Sequence, residues 1–534
     1  MSGIGAFLKD VLSLSVETNM RPAPPTVSPL DAISTVMDLM TKENVGSIVV
    51  IENNQLVGIV TEKDMLQRVL KPGKNLELTT VKDVMSKPLL TIDAERTVAD
   101  ALEMLHRHNI RRLIVTRGGI LVGLTTERRL LEIAHGHYMM KDRGQAPDDY
   151  KAHKVRVAYV STYPPRECGI ATYTKHLVDA VAAFCTQAVA PPMVAAINDR
   201  GGHYDYEFRV NSQIDANDIQ SYKKIAQYIN ASDVDVVNLQ HEYGIFGGEW
   251  GGYVNEFLQG IEKPIITTLH TVLEEPVPEA KRVTEEILAH SDFVIVMAKV
   301  GTGILEQVYG RYADRIQYIP HGCPNLPYLG TATAKRSLGL KDRAVLSTFG
   351  LLSRGKGIEY AIEALPHVLR ECPEILYLVI GETHPEVRKR EGEEYRQFLL
   401  DLVESLGLEQ NVRFVNRFLP ENELINYLQA TDIYIVPYPN REQISSGTLA
   451  YAMGTGKTIV TTPFLHAKEA ISNGAALECE FKDSDSIAGC VNTLLKDNQI
   501  HQRMSRKAYE YSRAMIWPNV AMSYVNVFYH ALGL

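Results

Sequence analysis

Hydrophobic and polar positions follow two different patterns along this chain, and the change comes near residue 154. Before it, the stretches 27–70 and 92–132 share one order of elements: an amphipathic helix, a strand, a tight turn, a second strand and another helix. The first strand falls at 47–51 in one copy and at 112–116 in the other. A unit of this size cannot bury its apolar face alone, so the pattern predicts two copies of one α+β unit that pack together.

After residue 154, short β-branched strands alternate with amphipathic segments of helix length. This alternation predicts two doubly wound, Rossmann-like α/β domains with parallel sheets, joined by a crossing rich in Pro and Gly at 320–327. Ligands of such sheets lie at the carboxyl ends of the strands, and two facing domains form a cleft there. The strands are predicted at 155–160, 193–197, 235–239, 264–269, 293–297 and 316–319 in the first domain, and at 344–349, 375–380, 412–415, 432–436, 458–461 and 475–479 in the second.

These patterns set the expected domain boundaries and the fold class. The fold class is α/β, with two doubly wound Rossmann-like domains preceded by an α+β repeat pair. We expect the C-terminal helix to pack back onto the first α/β domain. The predicted order is a repeat pair at 1–140, a polar linker at 141–153, α/β domains at 154–330 and 331–508, and the C-terminal helix at 509–534.

Composition narrows the class of protein without naming its chemistry. The 534 residues carry a formal net charge of −9, which disfavours nucleic acid as a partner. The six cysteines are scattered without a Cys-x-x-Cys pair, so neither a disulfide framework nor a metal site is predicted. No apolar run is long enough to span a bilayer, and the N-terminus lacks the basic start of a signal peptide. We therefore expect a cytoplasmic protein without a transmembrane segment.

A candidate phosphate site follows the fourth predicted strand of the second α/β domain. A polar loop there leads into Ser445, Ser446, Gly447 and Thr448, and good helix formers follow without a breaker. Ser and Thr can cap that helix, while Gly447 lets an anion approach backbone N–H groups that have no partner inside the helix. By itself, Ser-Ser-Gly before a helix is usually only a cap.

A second loop strengthens the phosphate interpretation. The first strand of the same domain ends at Gly350, and Arg354 and Lys356 follow in a glycine-containing turn. Arginine can grip two oxygens of a diphosphate, and lysine supplies a point charge. Exposed cations in a loop are commonly only solvated, but two such loops on neighbouring strands indicate one shared diphosphate site.

Two histidines end predicted strands of the first α/β domain. His241 follows the strand at 235–239, and His270 follows the strand at 264–269. A histidine at the carboxyl end of a strand faces the cleft, where its ring can donate a hydrogen bond to a ligand. Either one alone is more often a structural histidine, but the pair at equivalent strand ends favours a functional role.

Residues 58–64 of the first repeat read Gly-Ile-Val-Thr-Glu-Lys-Asp, and with this ending the stretch 10–135 resembles a tandem cystathionine-β-synthase (CBS) domain pair. The resemblance implies a cleft for an adenine nucleotide, AMP or ATP, in which Thr61 and Asp64 hold the ribose and its phosphate edge. The second copy keeps Thr126 but has Arg129 in place of the acidic residue, so that site either contacts phosphate or is empty. Such a pair also implies a homo-oligomer, and a purely dimerising role is the competing interpretation.

Further motifs mark residues 154–534, namely Ser161-Thr162-Tyr163-Pro164-Pro165 through Gly169, Leu269-His270-Thr271, Phe349-Gly350 with Lys356-Gly357, and the stretch 437–463. Together they resemble a GT-B glycosyltransferase of the large retaining family called group 1 or family 4. The resemblance implies a nucleotide-sugar donor in the second α/β domain, a hydroxyl acceptor in the first, and no required cofactor. It places Gly169 and His270 on the donor side, while His241 shapes the acceptor site. The leaving diphosphate would be stabilised by N–H groups and cations, without a protein nucleophile.

The sequence departs from that family where relatives usually carry two glutamates eight positions apart. Spacing from Gly456 puts these positions at Gln443 and Tyr451, and neither is Glu. Glu442 lies one position from the first and is our candidate for a contact with the donor sugar or the ribose. The alternative is that Glu442 is only an ion-pair partner of Arg441.

The leading prediction is therefore an enzyme, a retaining glycosyltransferase of the hexosyltransferase class. It would move a sugar from a nucleotide-diphosphate sugar to a carbohydrate or other hydroxyl acceptor, and an adenine nucleotide at the CBS pair would regulate it. A non-catalytic nucleotide-binding regulator is the alternative, because the glutamate pair is missing. A GT-B epimerase or phosphorylase ranks last, because the cofactor lysine of a phosphorylase cannot be placed.

Overall fold

The structure is a computed structural model, and it describes residues 15–16, 20–22, 25–42, 46–52, 55–87, 89–108, 110, 112–126, 154–185, 188–199, 201–202 and 204–534. The chain divides into two compact units, Met1–Ala152 and His153–Leu534. The predicted linker at 141–153 and the candidate Arg129 lie outside the described residues. Within the described part of the chain, no helix combines the length and the apolar character needed to cross a bilayer.

The first unit contains two small sheets, each built on one antiparallel hairpin. Its strands are β1 (Arg21–Pro22), β2 (Thr26–Val27), β3 (Ser47–Glu52), β4 (Gln55–Thr61), β5 (Thr91–Asp93), β6 (Arg112–Arg117) and β7 (Ile120–Thr126), and its longer helices are α1 (Ile33–Lys42) and α2 (Val98–Arg107). The strand orders are β2-β3-β4 and β1-β7-β6-β5. The hairpins β3–β4 and β6–β7 have a β-bulge at the same place, after Val50 in one and after Val115 in the other. Val49, Ile114 and Leu124 form an apolar cluster that joins the two sheets. The two stretches with the same sequence pattern therefore form two copies of one supersecondary unit.

The second unit begins with a seven-stranded sheet whose order is β10-β9-β8-β11-β12-β13-β14, and every strand pair in it is parallel. Its strands are β8 (Val157–Ser161), β9 (Met193–Asn198), β10 (Val210–Asp215), β11 (Val236–His241), β12 (Ile265–Leu269), β13 (Phe293–Val296) and β14 (Ile316–Tyr318). Its helices are α3 (Gly169–Phe184), α4 (Ile219–Ala231), α5 (Val254–Leu258), α6 (Pro278–His290) and α7 (Lys299–Tyr309). We call this part the first α/β domain.

The second α/β domain is built on a six-stranded parallel sheet of order β17-β16-β15-β18-β19-β20. Its strands are β15 (Ala344–Phe349), β16 (Ile375–Ile380), β17 (Val412–Val415), β18 (Ile433–Val436), β19 (Thr458–Thr461) and β20 (Leu477–Glu478). The helices from here to the C-terminus are α8 (Ala332–Ser337), α9 (Ile358–Leu369), α10 (Pro385–Glu391), α11 (Glu394–Ser405), α12 (Glu421–Ala430), α13 (Gly447–Gly454), α14 (Leu465–Ser472), α15 (Ser484–Lys496), α16 (Asn498–Ser512) and α17 (Trp517–Ala531).

The sequence explains why these strands are central. All residues of β9 and β16 are buried, as expected for apolar strands covered by helices on both faces of a parallel sheet. The predicted α/β fold class is confirmed. In the two parallel sheets the prediction missed β10, which is mostly polar and lies at the edge of its sheet with alternate side chains exposed.

The last helix, α17, packs against the first α/β domain. The Tyr524 hydroxyl lies 2.8 Å from Thr268 Oγ1 on β12 and 2.9 Å from the Tyr173 hydroxyl on α3. Phe528 meets the ring of Tyr159 edge-on. The C-terminus therefore completes the core beneath the first sheet.

The strand orders fix where ligands can bind. All strands run parallel, but the order in which they are added to each sheet reverses between two adjacent strands, β8 and β11 in the first and β15 and β18 in the second. The loops leaving the carboxyl ends of such strands separate, and the crevice between them is where open α/β sheets hold ligands. We refer to these places as the first-domain crevice and the second-domain crevice.

Candidate active site

Glycines allow the two loops of the second-domain crevice to approach each other. Gly350 leaves β15 with φ 130°, and Gly357 begins α9 with φ 63°, in conformations that side chains disfavour. A Cβ on Gly357 would lie 2.1 Å from the carbonyl oxygen of Pro437, which follows β18. Only glycine fits there, so the loop after β15 is held against the loop after β18.

Tyr438 joins the two loops through its hydroxyl. Lys356 Nζ donates to this hydroxyl at 2.8 Å, and Thr448 Oγ1 lies 2.9 Å from the same oxygen. Burial favours the neutral phenol, but the Lys356 ammonium and the hydrogen bonds from Ser446 and Thr448 lower the pKa of Tyr438. The crevice therefore contains one cation, Lys356, beside the first turn of α13.

Ser446 is the N-cap of α13. Its Oγ accepts the Leu449 N–H at 3.3 Å, and it lies 3.1 Å from Thr448 Oγ1. The backbone N–H of Ser446 donates to His466 Nδ1 at 2.8 Å, and burial lowers the pKa of His466 to about 3, so this ring is a neutral acceptor. The cap leaves the start of the helix, with its favourable field for an anion, at the crevice.

Ser445 and Gly447 connect this helix start to the first α/β domain and to the crossing. Ser445 Oγ donates to the carbonyl oxygen of His270 at 2.8 Å. A Cβ on Gly447 would lie 3.0 Å from His321 Nε2, so the crossing residue His321 stands directly over the helix start. The structure thus brings Ser445, Ser446, Gly447, Thr448 and Lys356 together, as the sequence analysis expected.

Arg354 and Glu442 do not join this group. The Arg354 guanidinium lies over the rings of Tyr395 and Phe398, at 5.5 Å from each centroid. The Glu442 side chain is exposed, and among the described residues it has no hydrogen bond or ion pair, not even with Arg441. Lys356 is therefore the cation that the structure places between the two loops.

The two predicted histidines differ in their surroundings. His270 Nε2 donates to Gln240 Oε1 at 2.8 Å, and its ring meets Tyr173 edge-on. His241 is fully buried, it stacks on Phe246, and neither ring nitrogen has a hydrogen-bond partner. Burial lowers the pKa of both histidines to about 3, so both rings are neutral at physiological pH. His270 is adjacent to the helix start of the second domain, whereas His241 lies behind Phe246.

Tyr451 occupies the position of the second family glutamate, and a carboxylate reaches it from another helix. The Tyr451 hydroxyl donates to Glu421 Oε1 at 2.8 Å, where Glu421 is the first residue of α12. His176 Nδ1, from α3 of the first domain, lies 2.8 Å from the same hydroxyl. The two domains therefore meet at a Glu-Tyr-His cluster beside α13.

Gly169 begins α3 in the first-domain crevice, and a Cβ there would meet no heavy atom within 4 Å. Near this crevice is a cavity of about 340 Å³ between the two domains. The first domain contributes Arg166, Asp199 and the loop after β11, and the second contributes Glu386 and Lys389 from α10. This space lies at the carboxyl edge of the first sheet, where the acceptor was expected.

The CBS candidates can be described in the first repeat. Thr61 Oγ1 donates to Asp64 Oδ2 at 2.6 Å, and Ser86 Oγ donates to Asp64 Oδ1 at 2.8 Å. Asp64 is buried, and both of its carboxylate oxygens are engaged. Thr126 is the last residue of β7, at the same hairpin position as Thr61 on β4.

Several residues at the crevices were not singled out from the sequence. Tyr438 lies two positions after the end of a predicted strand, and this position was the signal available in the sequence. His321 lies in the Pro- and Gly-rich crossing between the domains, and that position was the signal available for it in the sequence. Glu421 and His176 are ordinary helix residues in the sequence and only the tertiary fold brings them to Tyr451. The described residues hold no cluster of three or more His, Cys, Asp or Glu side chains that could bind a metal ion.

Comparisons with known proteins agree with this architecture. Residues 331–511 match the family model of the glycosyl transferases group 1, and residues 9–71 and 81–136 match that of the CBS domain. Over 277 residues the chain is 27% identical to the D-inositol 3-phosphate glycosyltransferase of Corynebacterium efficiens, covering 48% of this chain and 63% of that protein. The chain thus spans less than two thirds of the length of this relative. Over 110 residues it is 34% identical to the CBS domain-containing protein YhcV of Bacillus subtilis, covering 21% of this chain and 78% of that one.

A solved structure shows the same fold. The crystal structure of Anabaena Alr3699/HepE in complex with UDP and glucose aligns with a TM-score of 0.57 at 16% identity, covering 70% of this chain and all of the other. Both resemblances seen in the sequence are confirmed. Residues 331–511 are a group 1 glycosyl transferase domain, and residues 9–71 and 81–136 form a CBS domain pair.

Proposed function

We propose that this protein is a retaining glycosyltransferase that takes a sugar from a nucleotide-diphosphate donor and transfers it to a hydroxyl acceptor. The observation that carries the proposal is the convergence of two loops on one crevice. Lys356 from the loop after β15 and Thr448 from the first turn of α13 both contact the hydroxyl of Tyr438, which lies in the loop after β18, at 2.8 and 2.9 Å. A cation and a capped helix start side by side form a suitable site for a diphosphate.

The chemical role of this crevice is to stabilise the leaving group. As the bond between sugar and phosphate breaks, negative charge develops on the diphosphate, and preorganised N–H groups and a fixed ammonium stabilise that charge. Lys356 would supply the ammonium, Gly447 and Thr448 would supply backbone N–H groups, and Ser446 and Thr448 would supply hydroxyl groups, because the Ser446 N–H is already donated to His466. Retention follows if the acceptor hydroxyl attacks on the face from which the diphosphate leaves, without a covalent intermediate on the protein.

The neutral histidines suit donor binding better than proton transfer. Because burial lowers the pKa of His270 to about 3, its ring is a poor general base at neutral pH. Its Nε2–H is already directed to Gln240, so His270 would act mainly by holding Ser445 through its carbonyl oxygen. His241, sealed behind Phe246, would support the acceptor loop rather than contact the sugar.

We further propose that AMP or ATP binds the CBS pair and regulates transfer. Thr61 and Asp64 would contact the ribose, and Ser86 and Thr61 donate hydrogen bonds to the buried carboxylate of Asp64. A nucleotide hydroxyl would replace one of these donors. The exchange of one partner for another allows binding without leaving a buried charge unpaired.

Nucleoside diphosphate release tests the enzyme proposal. The full chain is incubated separately with UDP-, GDP- and ADP-sugars, with and without a panel of hydroxyl acceptors, and release of the diphosphate is followed. We expect turnover with one nucleotide class and, by NMR of the product, the same anomeric configuration as the donor. No release with any donor would refute the proposal.

A non-catalytic nucleotide-binding regulator is the second candidate, and one observation favours it. Neither Gln443 nor Tyr451 supplies a carboxylate, and Tyr451 is already bonded to Glu421 and His176. Under this alternative the nucleotide sugar binds the crevice and remains intact. Calorimetric binding of a donor together with complete absence of its cleavage would establish this alternative in place of the enzyme.

A further inference from the structure

The cavity between the two domains, which the proposed function makes the acceptor site, has a chemical character of its own. We infer that it takes a neutral, polyhydroxylated acceptor, such as an unphosphorylated sugar or cyclitol, and discriminates against phosphorylated ones. This inference rests on the proposed function and adds the class of acceptor to it. The cavity measures about 340 Å³, within the range of small-molecule sites.

The charged groups around the cavity compensate one another. Lys389 Nζ on α10 lies 2.5 Å from Asp199 Oδ2 of the first domain and 2.9 Å from Glu386 Oε1 on its own helix. Arg166 is the second cation of the lining, and its guanidinium charge contributes, after the hydrogen bonds from Lys389 and Tyr204, to lowering the pKa of Asp199. Two cations and two carboxylates thus line the space, and the formal charge is balanced.

The hydrogen bonds tie Lys389 to both carboxylates and Arg166 to the backbone. Lys389 bonds to Asp199 and Glu386, while Arg166 Nη1 donates to the Ile197 carbonyl oxygen at 2.9 Å. A phosphate monoester carries a charge of about −1.5 to −2 at neutral pH and needs cations that are free to pair with it. Here it would bring that charge into a lining whose two cations are already balanced by Asp199 and Glu386, and pairing with Lys389 would require it to displace one of these carboxylates.

A hydroxyl group suits the same lining, because it donates and accepts with little charge. Among the described residues, the Asn217 side-chain amide and Glu386 Oε2 have no hydrogen-bond partner, so both remain available to a ligand. Phe246 and Ile245 form an apolar wall on which the C–H face of a ring can rest. A few polar groups beside an apolar wall are typical of sites that orient a small molecule.

The cavity is also adjacent to the donor crevice. Helix α10, which carries Glu386 and Lys389, is capped by His384, whose Nδ1 accepts the Glu386 N–H at 3.2 Å. His384 N–H donates to the Leu352 carbonyl oxygen in the loop after β15, and the Lys356 ammonium contributes to lowering the pKa of His384, although burial does so most. An acceptor in the cavity would therefore lie next to the loop that holds the diphosphate.

The test compares matched acceptor pairs in the full chain with the donor identified by diphosphate release. Glucose is compared with glucose 6-phosphate, and inositol with inositol 3-phosphate, and kcat/KM is measured for each. We expect the neutral member of at least one pair to be used about 10-fold or more better than its phosphorylated partner. Preference for the phosphorylated member in both pairs, or no use of any neutral polyol, would overturn the inference.

Charge variants make the test independent of overall activity. Asp199→Asn and Glu386→Gln each leave one cation uncompensated, so the ratio of phosphorylated to neutral acceptor use should rise about 10-fold. Glu391→Gln is the matched control, because it removes a carboxylate from α10 outside the cavity lining and should leave the ratio unchanged. Equal ratios in all three variants would show that the cavity charges do not select the acceptor.

The failure of the two proposals can be told apart. Diphosphate release in the absence of acceptor reports donor use alone, so its presence keeps the proposed function whichever acceptor is preferred. If a donor is cleaved and the phosphorylated acceptors have the higher kcat/KM, only the inference about the acceptor fails. If no donor is cleaved, both fail together.

Discussion

Replacing Lys356 by methionine tests the assignment of the second-domain crevice most sharply. The Lys356 ammonium is held 2.8 Å from the Tyr438 hydroxyl and 4.4 Å from the centroid of its ring. Methionine keeps the apolar stem over that ring and removes the charge. A hydrogen bond to a charged group contributes about 1.5–3 kcal/mol, which corresponds to a loss of about 10- to 150-fold in donor affinity.

Arg354→Met is the matched control for this variant. Arg354 lies two positions away in the same turn, but its guanidinium rests on Tyr395 and Phe398 rather than in the crevice. Its replacement should change donor affinity by less than about 3-fold, because it removes an exposed cation–π contact worth roughly 0.5–1 kcal/mol and no phosphate contact. Affinity is measured by isothermal titration calorimetry with the nucleoside diphosphate that gives the largest thermal shift.

The comparison refutes the reasoning in two ways. If Arg354→Met weakens binding as much as Lys356→Met, the diphosphate contacts the exposed face of the turn, and its assignment to the second-domain crevice is wrong. If neither variant changes affinity, the turn does not bind the diphosphate at all. The melting temperature of each ligand-free variant is measured alongside, so that a loss of folding is not taken for a loss of binding.

Three further predictions concern stability, regulation and the domain contact. Burial lowers the folded-state pKa of four histidines in the second unit below the ordinary value of 6.5, to about 3 for three of them and about 4 for the fourth: His241, His270, His466 and His321. Below pH 6.5 the unfolded state binds more protons than the folded state, so stability falls as the pH is lowered. The free energy of unfolding in urea should decrease by on the order of 5 kcal/mol from pH 7.5 to pH 5.5. A flat profile would contradict the burial of these rings. AMP or ATP at 100 times its Kd should stabilise the protein by about 2.7 kcal/mol, and Asp64→Asn should abolish this thermal stabilisation. Asp83→Asn removes the equivalent carboxylate of a second capping box and should keep the stabilisation. Equal responses of the two variants would exclude Asp64 from the nucleotide site. Tyr451→Phe deprives Glu421 of its donor, so the free energy of unfolding should fall by about 1–3 kcal/mol in urea titration, and an unchanged value would show that the cluster is solvated.

Much of the fold could be read from the sequence because parallel strands covered on both sides must be apolar along their whole length. This rule located the strands of both sheets to within a few residues, and it failed only at β10. There the polar residues of Val210–Asp215 alternate on an edge strand that helices cover on one side only. An edge strand carries little of the signal on which the prediction depends.

The site was only partly predictable, because the direction of a side chain depends on the packing around it. Arg354 and Lys356 are indistinguishable in a glycine-containing turn, yet aromatic rings on α11 hold one and Tyr438 holds the other. The Glu421 carboxylate lies beside Tyr451 although the two are 30 positions apart in the chain. The local sequence around either residue does not predict that contact.

The central claim is that the turn carrying Lys356 and the helix start at Ser446 hold one diphosphate between them. A crystal structure of the full chain with the nucleoside diphosphate that binds best would test it most directly. We predict electron density for the diphosphate within hydrogen-bond distance of Lys356 Nζ and of the first N–H groups of α13. A diphosphate bound elsewhere, with Lys356 still bonded to Tyr438 and the helix start unoccupied, would contradict the account.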